Sequence, residues 1–169
     1  MNNRKKIFND PVYGFVSVPK GILLDLIDHP YFQRLRRIRQ LGLSSYVYPG
    51  ALHTRFHHAL GALHLMQEAI ETLRQKGVDI NPEEAEGACA AILLHDIGHG
   101  PFSHALEHSI AAMHHEELSQ MFMEAINQEF SGQLSLAIRI FRDAYPKKFL
   151  HQLVSGQLDM DRMDYLNRD

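Results

Sequence analysis

Histidine is the residue type in this sequence that most strongly suggests chemistry. The 169 residues contain 12 histidines, and ten of them lie between positions 53 and 115. Neutral imidazole binds transition metals and titrates near neutral pH, so clustered histidines indicate metal ligation or proton transfer. Histidines also pack on helices or lie at surfaces, and we expect roughly half of these to have no chemical role.

His95 and Asp96 form the most informative pair of adjacent residues. They follow the apolar run 88–94 and precede glycines at 98 and 100, which predicts that they end a buried helix. A carboxylate at that place is costly unless something pairs with it. A metal ion lying across the helix end would pair with both residues. On the dipeptide alone, an aspartate that caps a neighbouring element beside a packed histidine is the more frequent arrangement.

Two distant segments contain the remaining ligands of a candidate metal site. One is Arg55-Phe56-His57-His58, at an expected helix start, and the other is the aspartate-rich stretch 159–165. One histidine from the first, the His95-Asp96 pair and one aspartate from the second would make a mixed nitrogen and oxygen set. Such a set suits Mn, Fe, Zn or Ni and leaves coordination positions for water, as hydrolytic sites do.

The elements that position these residues are predicted to be helices, so the fold class is all-α with a small β element. Alternating apolar residues over 8–19, with turn residues among them, predict a short N-terminal hairpin. Helical spacing and capping signals predict a series of helices. They begin at 21 and 30 and continue over 54–76, 81–94, 103–113, 116–128, 132–142, 146–155 and from 159 onward. The segment 42–50 is predicted to be a loop, extended over 46–48.

Composition limits the classes of protein to consider. Hydrophobic residues are 45% and charged residues 22%, and the net charge of −3 offers no basic field for a nucleic-acid backbone. The single cysteine, Cys89, cannot form a disulfide within the chain. With no signal-peptide pattern and no apolar run of about 18 residues, we expect a cytoplasmic domain without a membrane span.

Several longer strings carry a family resemblance. The arrangement of His58, His95-Asp96 and Asp161 resembles the metal set of HD-domain phosphohydrolases. Further strings resemble the deoxynucleoside triphosphate triphosphohydrolases of the SAM-and-HD-domain type and their bacterial relatives, in order from near Lys6 to Asp169. These strings are Phe8-Asn9-Asp10-Pro11, Asp28-His29-Pro30-Tyr31-Phe32-Gln33-Arg34-Leu35-Arg36, Gln40-Leu41-Gly42, Tyr48-Pro49-Gly50-Ala51, Arg55-Phe56-His57-His58, His95-Asp96-Ile97-Gly98-His99-Gly100-Pro101-Phe102-Ser103-His104 and Asp161-Arg162-Met163-Asp164-Tyr165-Leu166-Asn167-Arg168-Asp169.

The resemblance implies one bound divalent metal ion and its ligands. On chemistry alone His53 and His57 compete with His58 as a ligand, and the family's Arg-Phe-x-His pattern selects His58. The implied ligands are His58, His95, Asp96 and Asp161. Fe, Mn, Zn or Ni is the expected ion, and Mg²⁺ would accompany the substrate.

The resemblance also implies how a substrate is held and cleaved. The reaction is hydrolysis at the α-phosphorus of a deoxynucleoside triphosphate, which releases deoxynucleoside and triphosphate. His104 is implied as the general acid, and Glu107 orients it where the family often has aspartate. The other residues at the phosphates are Arg55, His99, His115 and Arg162, and those at the sugar are Gln40, Leu41, Tyr165 and Asp169.

Three further expectations follow from the resemblance. An activating nucleotide would bind at Lys6, Asn9, Asp28, Gln33 and Arg36. On the residues alone, the arginines at 34–39 could equally be a solvated helix face. We expect a homo-oligomer, with residues 1–169 as the HD-domain part of a longer phosphohydrolase.

Hydrolysis of another phosphate ester, or a regulatory module without catalysis, remains the alternative function.

Overall fold

The chain is described by a computed structural model over residues 5–102 and 113–169, as helices preceded by one β-hairpin. This architecture confirms the expected fold class. The helix predicted at 103–113 falls almost wholly outside the described residues. None of the helices in the described ranges combines the length and apolar composition required to cross a bilayer.

The hairpin and the helices follow one another closely along the chain. Strands β1 (Lys5–Asp10) and β2 (Gly14–Pro19) are antiparallel, with Lys5 opposite Pro19 and Asp10 opposite Gly14. The helices are α1 (Ile22–Asp28), α2 (Pro30–Gln33), α3 (Arg55–Gln75), α4 (Pro82–Leu94), α5 (His115–Glu129), α6 (Ser135–Phe141), α7 (Lys148–Val154) and α8 (Met160–Arg168).

Between α2 and α3 the chain forms tight turns over 34–37 and 44–48, and Arg39 pairs with Thr54 in a single antiparallel β-bridge. The 3₁₀ turns Arg34–Arg37 and Ser44–Tyr46 occupy this region. The expectation of an extended segment at 46–48 is wrong, because the backbone hydrogen bonds there are local. Tyr46 N donates to Leu43 O at 3.0 Å, and Tyr48 N donates to Ser44 O at 2.8 Å.

Capping side chains start helices α3 and α4 where the sequence predicted. Before α4, Glu84 N donates to Asn81 Oδ1 at 2.8 Å and Asn81 N donates to Glu84 Oε2 at 2.9 Å, a reciprocal capping box. Before α3, the His57 ring takes the role of the glutamate: Thr54 N donates to His57 Nδ1 at 3.2 Å. Both helix starts are therefore set by local chemistry.

Helix α4 is the centre of the core. It packs against α3, α6 and α7, and α3 in turn packs against α8. Its residues 87–94 are all buried, together with Leu63 and Met66 of α3. This packing brings the first turn of α3, the end of α4 and the start of α8 together.

Gly98 allows the segment after α4 to approach α5 closely. Its backbone N donates to Ser119 Oγ at 2.9 Å. A Cβ atom at this position would overlap the carbonyl oxygen of His115 and the backbone N of Ser119. Because Gly98 has no side chain, its backbone can lie against the first turn of α5, and this places His99, the next residue, there as well.

We predict that Gly98→Ala lowers the free energy of unfolding by about 1–3 kcal/mol, because the added methyl group must push α5 away. Gly100→Ala is the matched control: a Cβ there meets nothing within 4 Å, so its effect should stay within about 0.5 kcal/mol. Urea denaturation of both variants measures the difference. Equal stabilities would show that the close approach at Gly98 has no energetic importance.

Candidate metal centre

His58 is the hub of the site. It lies in the first turn of α3, and its side chain is fully buried. Its Nε2 atom is 2.9 Å from Asp161 Oδ1, at the start of α8, and 3.3 Å from His95 Nε2, just after α4. Three elements that are distant in sequence therefore contribute ring nitrogen and carboxylate atoms to one point.

The four residues predicted as metal ligands lie close together, and three of them form one group of ligand atoms with Asp96 beside it. His95 Nε2 is 3.5 Å from Asp161 Oδ1 and 3.6 Å from Asp96 Oδ1, and His58 Nε2 is 3.6 Å from Asp96 Oδ2. His58, His95 and Asp161 present ligand atoms that all lie within 4.8 Å of one another. This geometry is suitable for an ion, and the assignment of the four as ligands stays a prediction.

Hydrogen bonds to the far side of both rings orient them toward the centre. His58 Nδ1 is 2.7 Å from Asp164 Oδ2, and His95 Nδ1 is 2.6 Å from the carbonyl oxygen of Ile92. Carboxylate and carbonyl oxygens only accept, so each Nδ1 donates and each Nε2 is directed at the site. Metal-binding histidines are commonly held in this way.

The two histidines that competed with His58 have other partners. The Nδ1 atom of His57 lies 2.9 Å from Thr54 Oγ1, so this ring serves the start of α3. His53 Nε2 lies 2.8 Å from Asp169 Oδ1. Neither His53 nor His57 belongs to a group of potential metal ligands within the described part of the chain.

Arg55 and Asp96 form a buried ion pair beside the histidines. Arg55 Nη1 contacts Asp96 Oδ2, and both side chains are almost fully buried. Burial alone would raise the pKa of Asp96, but the charges on His95 and Arg55 outweigh it and hold that pKa well below its usual range. The costly buried carboxylate that the sequence indicated is thus paired with a guanidinium in this structure.

Two of the histidines predicted to line the phosphates, His99 and His115, lie near the Asp96 carboxylate. His99 Nδ1 is 3.2 Å from Asp96 Oδ1, and the His99 and His115 ring centroids are 4.1 Å apart. Burial lowers the pKa of His99. Asp96, His99 and His115 also present ligand atoms within 4.8 Å of one another. The predicted general acid His104 and its partner Glu107 lie outside the described residues.

Most residues predicted at the sugar are placed near one another. Leu41, His53 and Asp169 line a cavity of about 370 Å³, and Gln40 N donates to His53 O at 3.1 Å. Gln40 Oε1 is buried without a hydrogen-bond partner among the described residues. On α8, Tyr165 is half-buried and Arg162 is exposed.

The residues predicted to bind an activating nucleotide form two surface pairs. Lys6 Nζ is 3.5 Å from Asp28 Oδ1. Arg36 Nε donates to Gln33 Oε1 at 2.7 Å, and its guanidinium lies 3.6 Å from the Phe56 ring centroid. The fifth residue, Asn9, lies in β1. Arg36 is exposed, and its side chain has a defined hydrogen bond and a ring contact.

Sequence reasoning assigned no role to two residues that this site uses. Asp164 holds the His58 ring, and its position three residues after Asp161 on one helix face was the available signal. Arg34 donates from Nη1 to the His99 carbonyl at 2.7 Å and contacts the Ile97 carbonyl through Nη2. Nothing in the sequence indicates that Arg34 reaches these carbonyls, because more than sixty residues separate them.

Comparison with known proteins identifies the family. The HD-domain family model matches residues 55–169, which include all of the candidate ligands. This chain belongs to the HD-domain family. The match begins at Arg55, the first residue of α3, and so the N-terminal hairpin and α1 and α2 precede it.

Solved structures resemble the whole chain. A phosphohydrolase from Bacteroides thetaiotaomicron is 65% identical, with a TM-score of 0.96 over 98% of this HD-domain chain. A hypothetical protein from Aquifex aeolicus is 36% identical, with a TM-score of 0.79 over 98%. This chain covers 41% and 46% of those two chains.

Sequence relatives include named enzymes. The uncharacterized protein YwfO of Bacillus subtilis is 35% identical over 99% of this chain. The deoxynucleoside triphosphate triphosphohydrolase SAMHD1 homolog of Dictyostelium discoideum is 34% identical over 97%, and human SAMHD1 is 32% identical over 97%. This HD-domain chain spans 40%, 36% and 33% of the length of these three proteins.

The site predicts a pH-dependent stability of the metal-free protein. Burial lowers the pKa of His58, but hydrogen bonds with Asp161 and Asp164 outweigh it and raise that pKa to about 9, from 6.5 in the unfolded chain. A raised folded-state pKa stabilises fully below pH 6.5, and the contribution is lost as the pH rises through about 9. We expect the thermal midpoint of chelator-treated protein to fall across this interval.

Thermal unfolding at pH 6.5 and pH 9, with chelator or with saturating Mn²⁺, measures this effect. A bound ion replaces the ring protons, so the Mn²⁺ series should fall less with pH. A midpoint in chelator that stays level or rises between the two pH values would contradict the ion pairing of His58.

Proposed function

We propose that this chain is the metal-dependent catalytic part of a phosphohydrolase that cleaves deoxynucleoside triphosphates into deoxynucleoside and triphosphate. The observation that carries the proposal is the convergence of the His58, His95 and Asp161 ligand atoms, which all lie within 4.8 Å of one another. Asp96 lies beside them and also belongs to a second group with the imidazoles of His99 and His115. The names of the Bacteroides phosphohydrolase and of the SAMHD1 relatives support the same reaction class.

The donor set is suitable for a divalent transition metal. His58, His95, Asp96 and Asp161 would hold the ion, because imidazole and carboxylate together suit Mn, Fe, Zn or Ni. When bound, such an ion would polarise a phosphoryl oxygen and lower the pKa of a water molecule. The buried surroundings of His58 and Asp96 exclude bulk water and strengthen electrostatic interactions there.

The residues around Asp96 are suited to holding phosphate oxygens. Arg55 contacts Asp96, and its planar guanidinium, with five N–H donors, is the type of group that binds phosphate oxygens. His99 and His115 present two further imidazoles beside the same carboxylate. In this proposal His104 protonates the leaving oxygen, and Glu107 orients it.

The cavity at Leu41 would hold the sugar. In that cavity Leu41 offers an apolar contact, and Asp169 offers a polar group suited to a 3′-hydroxyl. The amide of Gln40, next to Leu41 in the chain, is the second polar group proposed for the sugar. A ribonucleotide would place its 2′-hydroxyl against the apolar side chain, where it finds no hydrogen-bond partner. Leaving a buried hydroxyl unpaired lowers affinity, so the cavity favours deoxyribose.

We predict that the chain with Mn²⁺ releases tripolyphosphate from deoxynucleoside triphosphates and that His95→Ala and Asp96→Ala lower the rate at least about 100-fold. His64→Ala, on α3 but paired with Glu68 at 3.4 Å, is the control. Product analysis across deoxy- and ribonucleotides is the measurement. Undiminished turnover in both site variants would refute the metal assignment, and release of orthophosphate or pyrophosphate would indicate another phosphate-ester hydrolase.

An activating nucleotide on the Lys6 and Arg36 surface is the second part of this proposal. Two observations favour it: the ion pair of Lys6 with Asp28, and the packing of the Arg36 guanidinium on the Phe56 ring. We expect the rate to rise sigmoidally with dGTP, because activator and substrate occupy separate sites, and Arg36→Met to require more nucleotide for the same rate. A hyperbolic curve that the variant does not shift would remove this site.

A further inference from the structure

A chain of buried ion pairs connects the N-terminal hairpin with the hub of the metal centre. Asp164 Oδ2 accepts from His58 Nδ1 at 2.7 Å and from Arg168 Nε at 2.9 Å, and Asp164 Oδ1 accepts from Arg168 Nη2 at 3.0 Å. Arg168 Nη1 and Nη2 donate to the two Asp10 oxygens at 2.9 and 3.2 Å. Asp10, Arg168 and Asp164 form what we call the hairpin chain.

The hairpin chain is shielded from water along its length. The side chains of Asp10, Arg168 and Asp164 are 2%, 1% and 0% exposed. Burial alone would lower the pKa of Arg168, but its bonds to Asp164 and Asp10 outweigh it and raise that pKa. Removing one member of such a chain leaves a charge without its partner in a nonpolar environment, which is strongly unfavourable.

Both ends of the hairpin chain are anchored. At one end, Asp10 Oδ1 accepts from the backbone N of Val12 at 2.9 Å and of Tyr13 at 3.1 Å, so this carboxylate also shapes the hairpin turn. At the other end, Asp164 holds the ring of His58. Each side chain of the hairpin chain is therefore held by hydrogen bonds to the groups on either side of it.

Helix α3 leaves room for the hairpin chain at Gly61. A Cβ atom there would overlap the Asp164 carboxylate and the Arg168 guanidinium, and would lie 2.8 Å from a ring carbon of Tyr13. Glycine inside a helix costs about 1 kcal/mol relative to alanine, so its presence in the middle of α3 needs a reason. The reason visible here is the space that the ion pair occupies.

We propose that the hairpin chain positions His58 for metal binding, so that the N-terminal hairpin, which lies outside the matched family segment, is a working part of the metal centre. This inference rests on the metal centre of the proposed function. Asp10, Arg168 and Asp164 are positioning residues. Arg168 fixes both oxygens of Asp164, and Asp164 in turn holds Nδ1 of His58, so that Nε2 of the same ring is directed at the metal site. Groups behind metal ligands commonly change metal affinity 10- to 100-fold.

Mn²⁺ binding by the purified chain tests the proposal, with the free ion measured by its EPR signal. Asp10→Asn keeps an oxygen for the hairpin turn but loses one acceptor and the charge facing Arg168. We expect it to weaken Mn²⁺ binding about 10-fold. The control is Glu84→Gln, which alters another buried carboxylate, paired with Lys147 at 2.8 Å. This control should lower the thermal midpoint without changing Mn²⁺ affinity.

Gly61→Ala provides a second variant that leaves every charge in place. The added methyl group displaces Asp164 and Arg168, so Mn²⁺ binding should weaken by a similar factor, whereas a general helix effect would stabilise the protein. Arg168→Lys keeps the charge but not the planar fork, and should fall between wild type and Asp10→Asn.

The outcomes separate this inference from the function on which it rests. If wild type binds Mn²⁺ and both Asp10→Asn and Gly61→Ala bind it equally well, the hairpin chain is structural only and the inference is overturned. If wild type binds no Mn²⁺, the metal centre and this inference both fail. Weaker binding in the two variants, with unchanged binding in Glu84→Gln, supports the inference.

Discussion

The contacts that two carboxylates of α8 make with the imidazole of His58 are the interaction on which the rest of the structure depends. Asp161 approaches one ring nitrogen and Asp164 the other, from positions one turn apart on the same helix. Because the ring belongs to α3, these contacts join α3 and α8 at the predicted ligand set. The packing of α3 on α4 then brings His95 and Asp96 to the same place.

Charge balance explains how so many ionisable groups share a small buried volume. Arg55 faces Asp96, and Arg168 lies between Asp10 and Asp164. Each carboxylate has a cation or an imidazole beside it, so its negative charge is tolerated away from water. An arriving cation would enter a site in which the acids are already ionised, and it would displace protons from the rings rather than from the carboxylates.

Local patterns in the sequence predicted the elements better than the contacts between them. The caps at Thr54 and Asn81 and the hairpin depend on neighbouring residues, and the structure places them as expected. The choice of His58 over His57 came from family resemblance, because adjacent histidines are equivalent by composition. The pairing of Asp10 with Arg168 spans 158 positions, and no periodicity carries information over that distance; it arises only when the hairpin folds onto α3 and α8.

The placement of Asp161 and Asp164 on α8 has a consequence for biosynthesis. A ribosome produces the chain from its N-terminus, and a domain generally folds as a unit during synthesis. His58 and His95 are made early, whereas both acids that grip His58 belong to the last of the described helices. Until that helix leaves the ribosome, the imidazole at the hub lacks its carboxylates. The predicted ligand set therefore cannot be complete in the nascent chain until α8 has emerged.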